Sequence, residues 1–255
     1  MADQIKVRGM VISSSPIGEN DKRVVLLTKE KGKISAFVRG ARRPGNHLMA
    51  ASDSFSFGIF YLMYGRDAYT VVNAEISNFF RELTSDLQKT YTAYYFLELA
   101  EYFTVENEDE SMMLNLIYAS FSALVKGRIN PRLIRYIFEL KTLVINGEYP
   151  EFFVCRNCGT KEHLTGFSIF HDGILCKDCA KVSKDVMEIN GSTLYALQYI
   201  VYSDIKNLFT FVVSDEVLTE MKMVMARCMH AYVDKKMYCS VPPRRRPTRS
   251  GSFRP

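Results

Sequence analysis

Polar and apolar positions alternate along the first third of the chain. Ile5–Ser14, KRVVLLT (22–28) and KISAFVRG (33–40) each read as a strand with one face turned inward. PIGEND (16–21) has the composition of a turn, and Lys29-Glu30-Lys31-Gly32 supplies a hairpin in which Gly32 takes positive φ. A polar loop follows from Ala41 to Ser52. DSFSFGIFYLMY (53–64) alternates around aromatics, Gly65-Arg66-Asp67 turns the chain, and AYTVVNAEI (68–76) closes the set. Five strands with hairpin connections predict a small barrel or sandwich.

From Phe79 the period becomes helical. Ser85 with Gln88 three residues on predicts a capping box, and Leu83, Leu87, Tyr91, Tyr94, Tyr95 and Leu99 recur at three-to-four spacing. A second helix spans Ser111–Lys126 and stops at Gly127. A third opens with Asn130 as cap and Pro131 in the first turn, and runs towards Gly147. Two more cover 190–203 and 214–236. In the latter, Ser214 caps, Asp215 and Glu216 suit the N-terminus, and Lys235 and Lys236 suit the C-terminus. Met221, Met225, Cys228 and Tyr232 share one face of that helix, and such a stripe predicts core rather than a binding groove.

Between the third and fourth helices lies CRNCGTKEHLTGFSIFHDGILCKDC. Cys155, Cys158, Cys176 and Cys179 form two C-x2-C knuckles at zinc-ribbon spacing. Four thiolates at about 2.3 Å complete a tetrahedron and leave no open position, which predicts one structural zinc ion rather than a catalytic one. Gly159 and Gly173 free the backbone beside the knuckles, and TGFSIF reads as the strand of a ribbon hairpin. His163 and His171 are spectators, because four thiolates already saturate the ion. A thiol-redox role would need only one of the two pairs. Metal-bound thiolates and no disulfide framework suit a reducing compartment.

Charge is informative by location. The chain carries 33 Lys+Arg against 28 Asp+Glu. Arg244, Arg245, Arg246, Arg249 and Arg254, all in the tail 241–255, account for the whole surplus. That Pro/Arg/Ser/Gly-rich tail predicts disorder, and it is either an arm for nucleic acid or an extension foreign to the natural protein. The body is neutral, so affinity for a polyanion must come from clustering. The N-terminal strands provide a cluster: Arg23, Lys29, Lys31, Lys33, Arg39, Arg42 and Arg43, with Glu30 the one acid between Lys29 and Arg43. Lys31, Lys33 and Arg39 have the even spacing of one strand face. Phe37, Tyr61, Tyr64 or Tyr69 could stack on bases beside them, and the bland alternative is a solvated face with edge-protecting lysines.

The run GENDKRVVLLTKEKGKISAFVRGARRP (18–44) resembles the N-terminal signature of the RecO family of bacterial recombination mediators. The order of parts fits the family as well, up to about residue 239; the Arg-rich tail lies outside the pattern. The resemblance implies an α+β fold: an N-terminal five-stranded OB-like β-barrel (1–78) that binds DNA, then an α-helical domain (79–240) with an inserted four-cysteine zinc ribbon (150–182). It implies binding of single- and double-stranded DNA and annealing of complementary strands. It also implies help in loading RecA onto DNA coated by single-strand-binding protein (SSB), with RecR as partner and RecF linked indirectly. The basic set from Lys29 to Arg43 becomes the DNA-contact candidate. The SSB C-terminal tail is acidic with an apolar end and needs a greasy groove with cations, for which Arg132 and Arg135 on the third helix are candidates. A cytoplasmic, nucleoid-associated protein is expected.

Against an enzyme stand the absence of a nucleophile elbow, an HExxH pair and a P-loop, and only four His: His47, His163, His171 and His230. Asp3, Lys6 and Arg8 break any signal-peptide run, and no apolar stretch is long enough to span a membrane. The remaining rival is an OB-fold zinc-ribbon RNA-binding or transcription factor, separated from the RecO reading by its partners.

Overall fold

The computed structural model describes residues 4–65 and 68–234. The tail 241–255, Lys235, Lys236 and the turn residues Arg66 and Asp67 lie outside the described residues.

Five strands, β1 (Gln4–Ile17), β2 (Asp21–Thr28), β3 (Gly32–Val38), β4 (Phe57–Tyr64) and β5 (Tyr69–Asn78), form a closed barrel in the order β1-β2-β3-β5-β4. All neighbours are antiparallel except β3 and β5, which run parallel. This is the OB arrangement. β1 bends at a bulge between Val11 and Ser13, so one long strand pairs with both β2 and β4. Alternation fills the interior with Val7, Val11, Leu26, Ile34, Phe60 and Leu62, and a short helix α1 (Leu48–Ala51) plugs one end with Leu48 and Ala51.

The second body contains α2 (Leu87–Phe103), α3 (Ser111–Lys126), α4 (Pro131–Ile145), the ribbon strands β6 (Leu164–Ser168) and β7 (Gly173–Cys176), α5 (Lys177–Val182), β8 (Met187–Glu188), α6 (Gly191–Tyr202) and α7 (Asp215–Tyr232). α4 is central and buried nearly all round. Phe96 and Phe138 stack at 4.0 Å in its core. The ribbon adds Phe152, Phe167 and Ile174 to this same core, and so does the outer face of the barrel through Met10, Ile12 and Leu27. Met221, Met225 and Cys228 of α7 are buried there too, the core stripe their spacing predicts.

Helix ends follow local chemistry. Asn130 and Ser214 accept hydrogen bonds from Arg132 N and Val217 N, and Gly127 closes α3 at φ 65°. At α2 the cap is Asp86, which accepts from Lys89 N at 2.8 Å, not Ser85, whose hydroxyl donates back to Glu82 O. Residues 53–56 are not strand. Phe55 sits at φ 75° and turns its ring into the helices, against Tyr94 and Phe121.

Candidate metal centre and nucleic-acid interface

Two loops bring the four thiols together. In the first knuckle Cys155 N donates to Thr160 O and Gly159 N donates back to Cys155 O, each at 2.8 Å. In the second, Cys176 ends β7 and immediately precedes α5. A parallel bridge between Glu151 and Gly173 locks the two halves in register, and a Cβ at Gly173 would fall 2.5 Å from Glu151 O. The Sγ atoms of Cys155, Cys158, Cys176 and Cys179 all lie within 4.8 Å of one another, with Cys158 and Cys176 3.8 Å apart. A tetrahedral thiolate site with metal–sulfur bonds of about 2.3 Å has S···S edges of about 3.8 Å, so the cluster has the size to hold a metal ion.

Burial pushes the Cys155 thiol up, but backbone N–H groups of Cys176, Cys158 and Asn157 outweigh it and bring it down to about 6. Asn157 Nδ2 donates to Cys179 Sγ at 3.2 Å. That bond favours the thiolate, yet hydrogen bonds with the neighbouring cysteines push the Cys179 thiol up to about 12. His163 stands outside this cluster, and His171 instead meets Ser168 Oγ through Nδ1 at 3.1 Å.

The seven candidate cations of the barrel divide between its two ends. Arg23 pairs across the strands with Phe37, Phe37 with Thr70, and Thr70 with Met63, a single outward row. Tyr64 and Tyr69 meet edge to face at 5.0 Å just beyond it. Tyr61 lies elsewhere on β4, bound to Glu75 Oε1 at 2.8 Å. Arg39, Arg42 and Arg43 sit on the loop after β3, which is tied down by Arg42 N to Asn20 O, Arg43 N to Gly40 O and Asn46 Nδ2 to Arg39 O. Arg23, Arg39, Arg42 and Arg43 are exposed, and none is in an ion pair among the described residues. Lys29, Lys31 and Lys33 occupy the opposite, β2–β3 hairpin end. There Lys33 Nζ donates to Glu101 O at 2.7 Å at the close of α2.

Arg132 and Arg135 line one pocket of about 360 Å³ with Tyr91, Tyr95, Tyr136 and Lys222. Arg135 Nε donates to the buried Glu139 at 2.7 Å and its guanidinium stands 4.6 Å over the Tyr95 ring. The Tyr95 hydroxyl donates to the same carboxylate at 2.7 Å. Burial, then Glu139, raises the Tyr95 pKa far above the phenolic range. Neither Lys222 nor the outward row is apparent from sequence spacing: one comes from a helix some ninety residues away, the other from strand pairing.

A closed OB barrel seated on a helical body that includes a four-thiolate ribbon defines the class: a two-part OB protein with a candidate structural metal centre. Residues 1–80 match the family model "Recombination protein O N terminal", and residues 84–238 match "Recombination protein O C terminal". The chain is 34% identical over 232 residues to the DNA repair protein RecO of Acetivibrio thermocellus, covering 91% of this chain and 92% of that one. The corresponding Bacillus subtilis protein is 30% identical over 219 residues, 86% of each chain. That of Alkaliphilus metalliredigens is 29% identical over 238 residues, 93% of this chain and 97% of its own. The chain belongs to the RecO family of DNA repair proteins. Among the described residues no helix is long and apolar enough to cross a membrane.

Proposed function

We propose that this protein is a recombination mediator that binds single- and double-stranded DNA, anneals complementary strands, and helps load RecA onto SSB-coated DNA together with RecR. RecF is linked indirectly. The observation that carries the reading is the arginine end of the barrel: four exposed arginines in no ion pair among the described residues, Arg23 and Arg42 donating only to Ser35 Oγ and Gly18 O, beside an exposed phenylalanine and two tyrosines. Guanidinium groups neutralise phosphates without reading sequence, and aromatic faces accept any base. Annealing requires this and no covalent chemistry, so no enzymatic step is proposed.

The metal is zinc, held by Cys155, Cys158, Cys176 and Cys179 as a structural ion. With four protein thiolates the coordination is closed to water and substrate. The ion fixes the ribbon, whose Phe152, Phe167 and Ile174 complete the helical core. The acidic SSB tail fits the pocket of Arg132 and Arg135, where tyrosine rings receive its apolar end and Arg132 and Lys222 face its carboxylates. Such a protein works in the cytoplasm at the nucleoid.

The deciding experiment is a fluorescence-quench annealing assay on complementary strands coated with SSB, without nucleotide. Annealing well above the protein-free rate is expected, with Arg132→Glu impaired only on SSB-coated strands. Failure to accelerate annealing on bare and coated strands alike overturns the reading.

A further inference from the structure

Residues 104–110, Thr-Val-Glu-Asn-Glu-Asp-Glu, join α2 to α3 and run as a strap along the start of β3, ahead of its pairing with β5 at Ala36 and Phe37. Lys33 N donates to Val105 O at 3.1 Å, Asn107 N donates to Lys31 O at 3.2 Å, and Gly32 forms a bridge with Glu106. The contact is close enough to require glycine. A Cβ at Gly32 would lie 2.6 Å from Glu108 O and 2.7 Å from Val105 O, and φ is +60°. The backbone pairing brings Glu106, Glu108, Asp109 and Glu110 to the hairpin that carries Lys29, Lys31 and Lys33.

The charges are coupled. Hydrogen bonds from Ser111 hold Asp109 below the usual carboxylate range, and the Lys29 ammonium adds to that. Burial raises Glu110, opposed by the Val105 N–H and by Lys33. The strap therefore places four carboxylates beside a hairpin that carries three lysines, none of them in an ion pair among the described residues, while Glu30 on the hairpin itself accepts from Arg8 N at 2.9 Å. At the arginine end the balance is reversed. Lys22 is matched by Asp53 at 2.5 Å, and Asp21 is occupied by the Gly40 N–H at 2.7 Å. Arg23, Arg39, Arg42 and Arg43, like the hairpin lysines, are in no ion pair among the described residues, but the acidic strap is paired to the hairpin end and not to theirs. The two ends are separated by the length of β2, about 25 Å for eight residues. That distance exceeds the roughly 8 Å screening length at physiological salt, so each end presents its own field.

We infer that the acidic strap occupies the lysine hairpin as an internal polyanion, so that a nucleic-acid strand engages the barrel only at the Arg23, Arg39, Arg42 and Arg43 end. The inference rests on the DNA-binding reading above and divides the candidate cations of that reading into contacting and neutralised sets. The strap sets the limit of the binding track along the barrel, and its carboxylates repel a phosphate chain that would extend past β2. Phe37, between Arg23 and Thr70 in the outward row, is the aromatic nearest the contacting set.

The test is anisotropy of a labelled single-stranded oligonucleotide titrated with the full chain across a range of salt. The triple variant Arg39→Gln, Arg42→Gln, Arg43→Gln is expected to weaken binding about tenfold or more and to flatten the salt slope by about 2, at roughly 0.7 per lost phosphate contact. Lys29→Gln with Lys31→Gln should stay within about twofold, with an unchanged slope. Neutralising the strap by Glu106→Gln, Glu108→Gln and Asp109→Asn should tighten binding about threefold or more and steepen the slope, as lysines are released to phosphates. Thermal melts by circular dichroism check that each variant is folded. Equal losses in the lysine and arginine variants, or an unresponsive strap variant, overturn the inference while leaving DNA binding intact. A wild-type chain that binds no DNA at low salt overturns the functional reading and the inference with it.

Discussion

Glu139 is 1% exposed at the centre of α4. Its carboxylate is tolerated there because Tyr95 and Arg135 both donate to it at 2.7 Å. A buried charge stripped of one donor carries the full desolvation penalty. Tyr95→Phe is therefore expected to cost about 1–3 kcal/mol. Arg135→Ala should cost about 3 kcal/mol or more, since it leaves the carboxylate without its cation. Urea unfolding checks both, and Glu139→Leu with Arg135→Met should recover most of the loss. Lys141, 4% exposed on the same helix, meets the same need differently: its ammonium donates to the carbonyls of Ile200, Val201 and Ser203 at the end of α6. Gly32 is the other decisive single position. Gly32→Ala combines a positive-φ penalty with a clash against two strap carbonyls, and should cost about 1–3 kcal/mol and loosen the strap. Hydrogen exchange at Asn107 N, bonded to Lys31 O, reports the loosening directly. The sequence suggested positive φ at Gly32 from its turn context, but the close approach of the strap is a tertiary fact that no local pattern carries. The same holds for Phe55. Its alternation with Phe57 reads as strand, while the core demand for an aromatic between Tyr94 and Phe121 pulls it out of the sheet.

At the scale of elements, legibility follows how local the determining forces are. Asn130-Pro131, Gly127 and Ser214 carry their own capping chemistry, so α3, α4 and the start of α7 stand where spacing predicts. α2 begins after Asp86 because two adjacent residues can both cap, and the Leu83 carbonyl, held by the Thr90 hydroxyl at 2.8 Å, favours the later start. The polar stretch 41–52 hides α1, whose Leu48 and Ala51 are apolar only where the barrel end needs them. The parallel β3–β5 closure is likewise invisible, because hairpin signals encode antiparallel neighbours alone. The ribbon is the element most completely written in sequence, since two C-x2-C pairs predict both the clustering of its four thiols and the hairpin between them. Its isolated strands are four and five residues long and cannot persist by pairing alone. Removing the ion with a strong chelator should therefore melt residues 150–182 and expose Phe152, Phe167 and Ile174. The expected readout is loss of hydrogen-exchange protection in that segment first, with a lower melting temperature for the helices and one zinc per chain recovered by elemental analysis. Cys155→Ser or Cys176→Ser should reproduce the effect without chelator. A fully protected ribbon in metal-free protein would contradict the assignment.

At the scale of the whole molecule, the barrel and the helices share one apolar core rather than touching across a wet seam. β1 and β2 are buried on both faces where they meet the helices: Val11 and Leu26 point into the barrel, while Met10, Ile12 and Leu27 point into the helical core, each at 3% exposure or less. An aromatic cluster reinforces the junction. Phe55 and Phe57 from the barrel side meet Tyr94, Tyr118 and Phe121 from α2 and α3 at ring distances of 4.7–5.5 Å, and Phe80 bridges to the last two at 5.3 Å. Fully burying one side chain of this kind is worth about 1.5–3 kcal/mol, so a barrel deprived of the helices forfeits several such terms at once. It also presents a contiguous apolar face, which in water drives association. Residues 1–80 expressed alone are therefore expected to self-associate or unfold, even though they close a complete barrel. Size-exclusion chromatography with light scattering should find a multimer or an expanded chain, and replacing Met10, Ile12 and Leu27 by Thr should restore a monomer. In the full-length protein Leu27→Ala should cost about 2–5 kcal/mol and lower the stability of barrel and helices together. A compact monomeric 1–80 fragment would mean that the shared core contributes little.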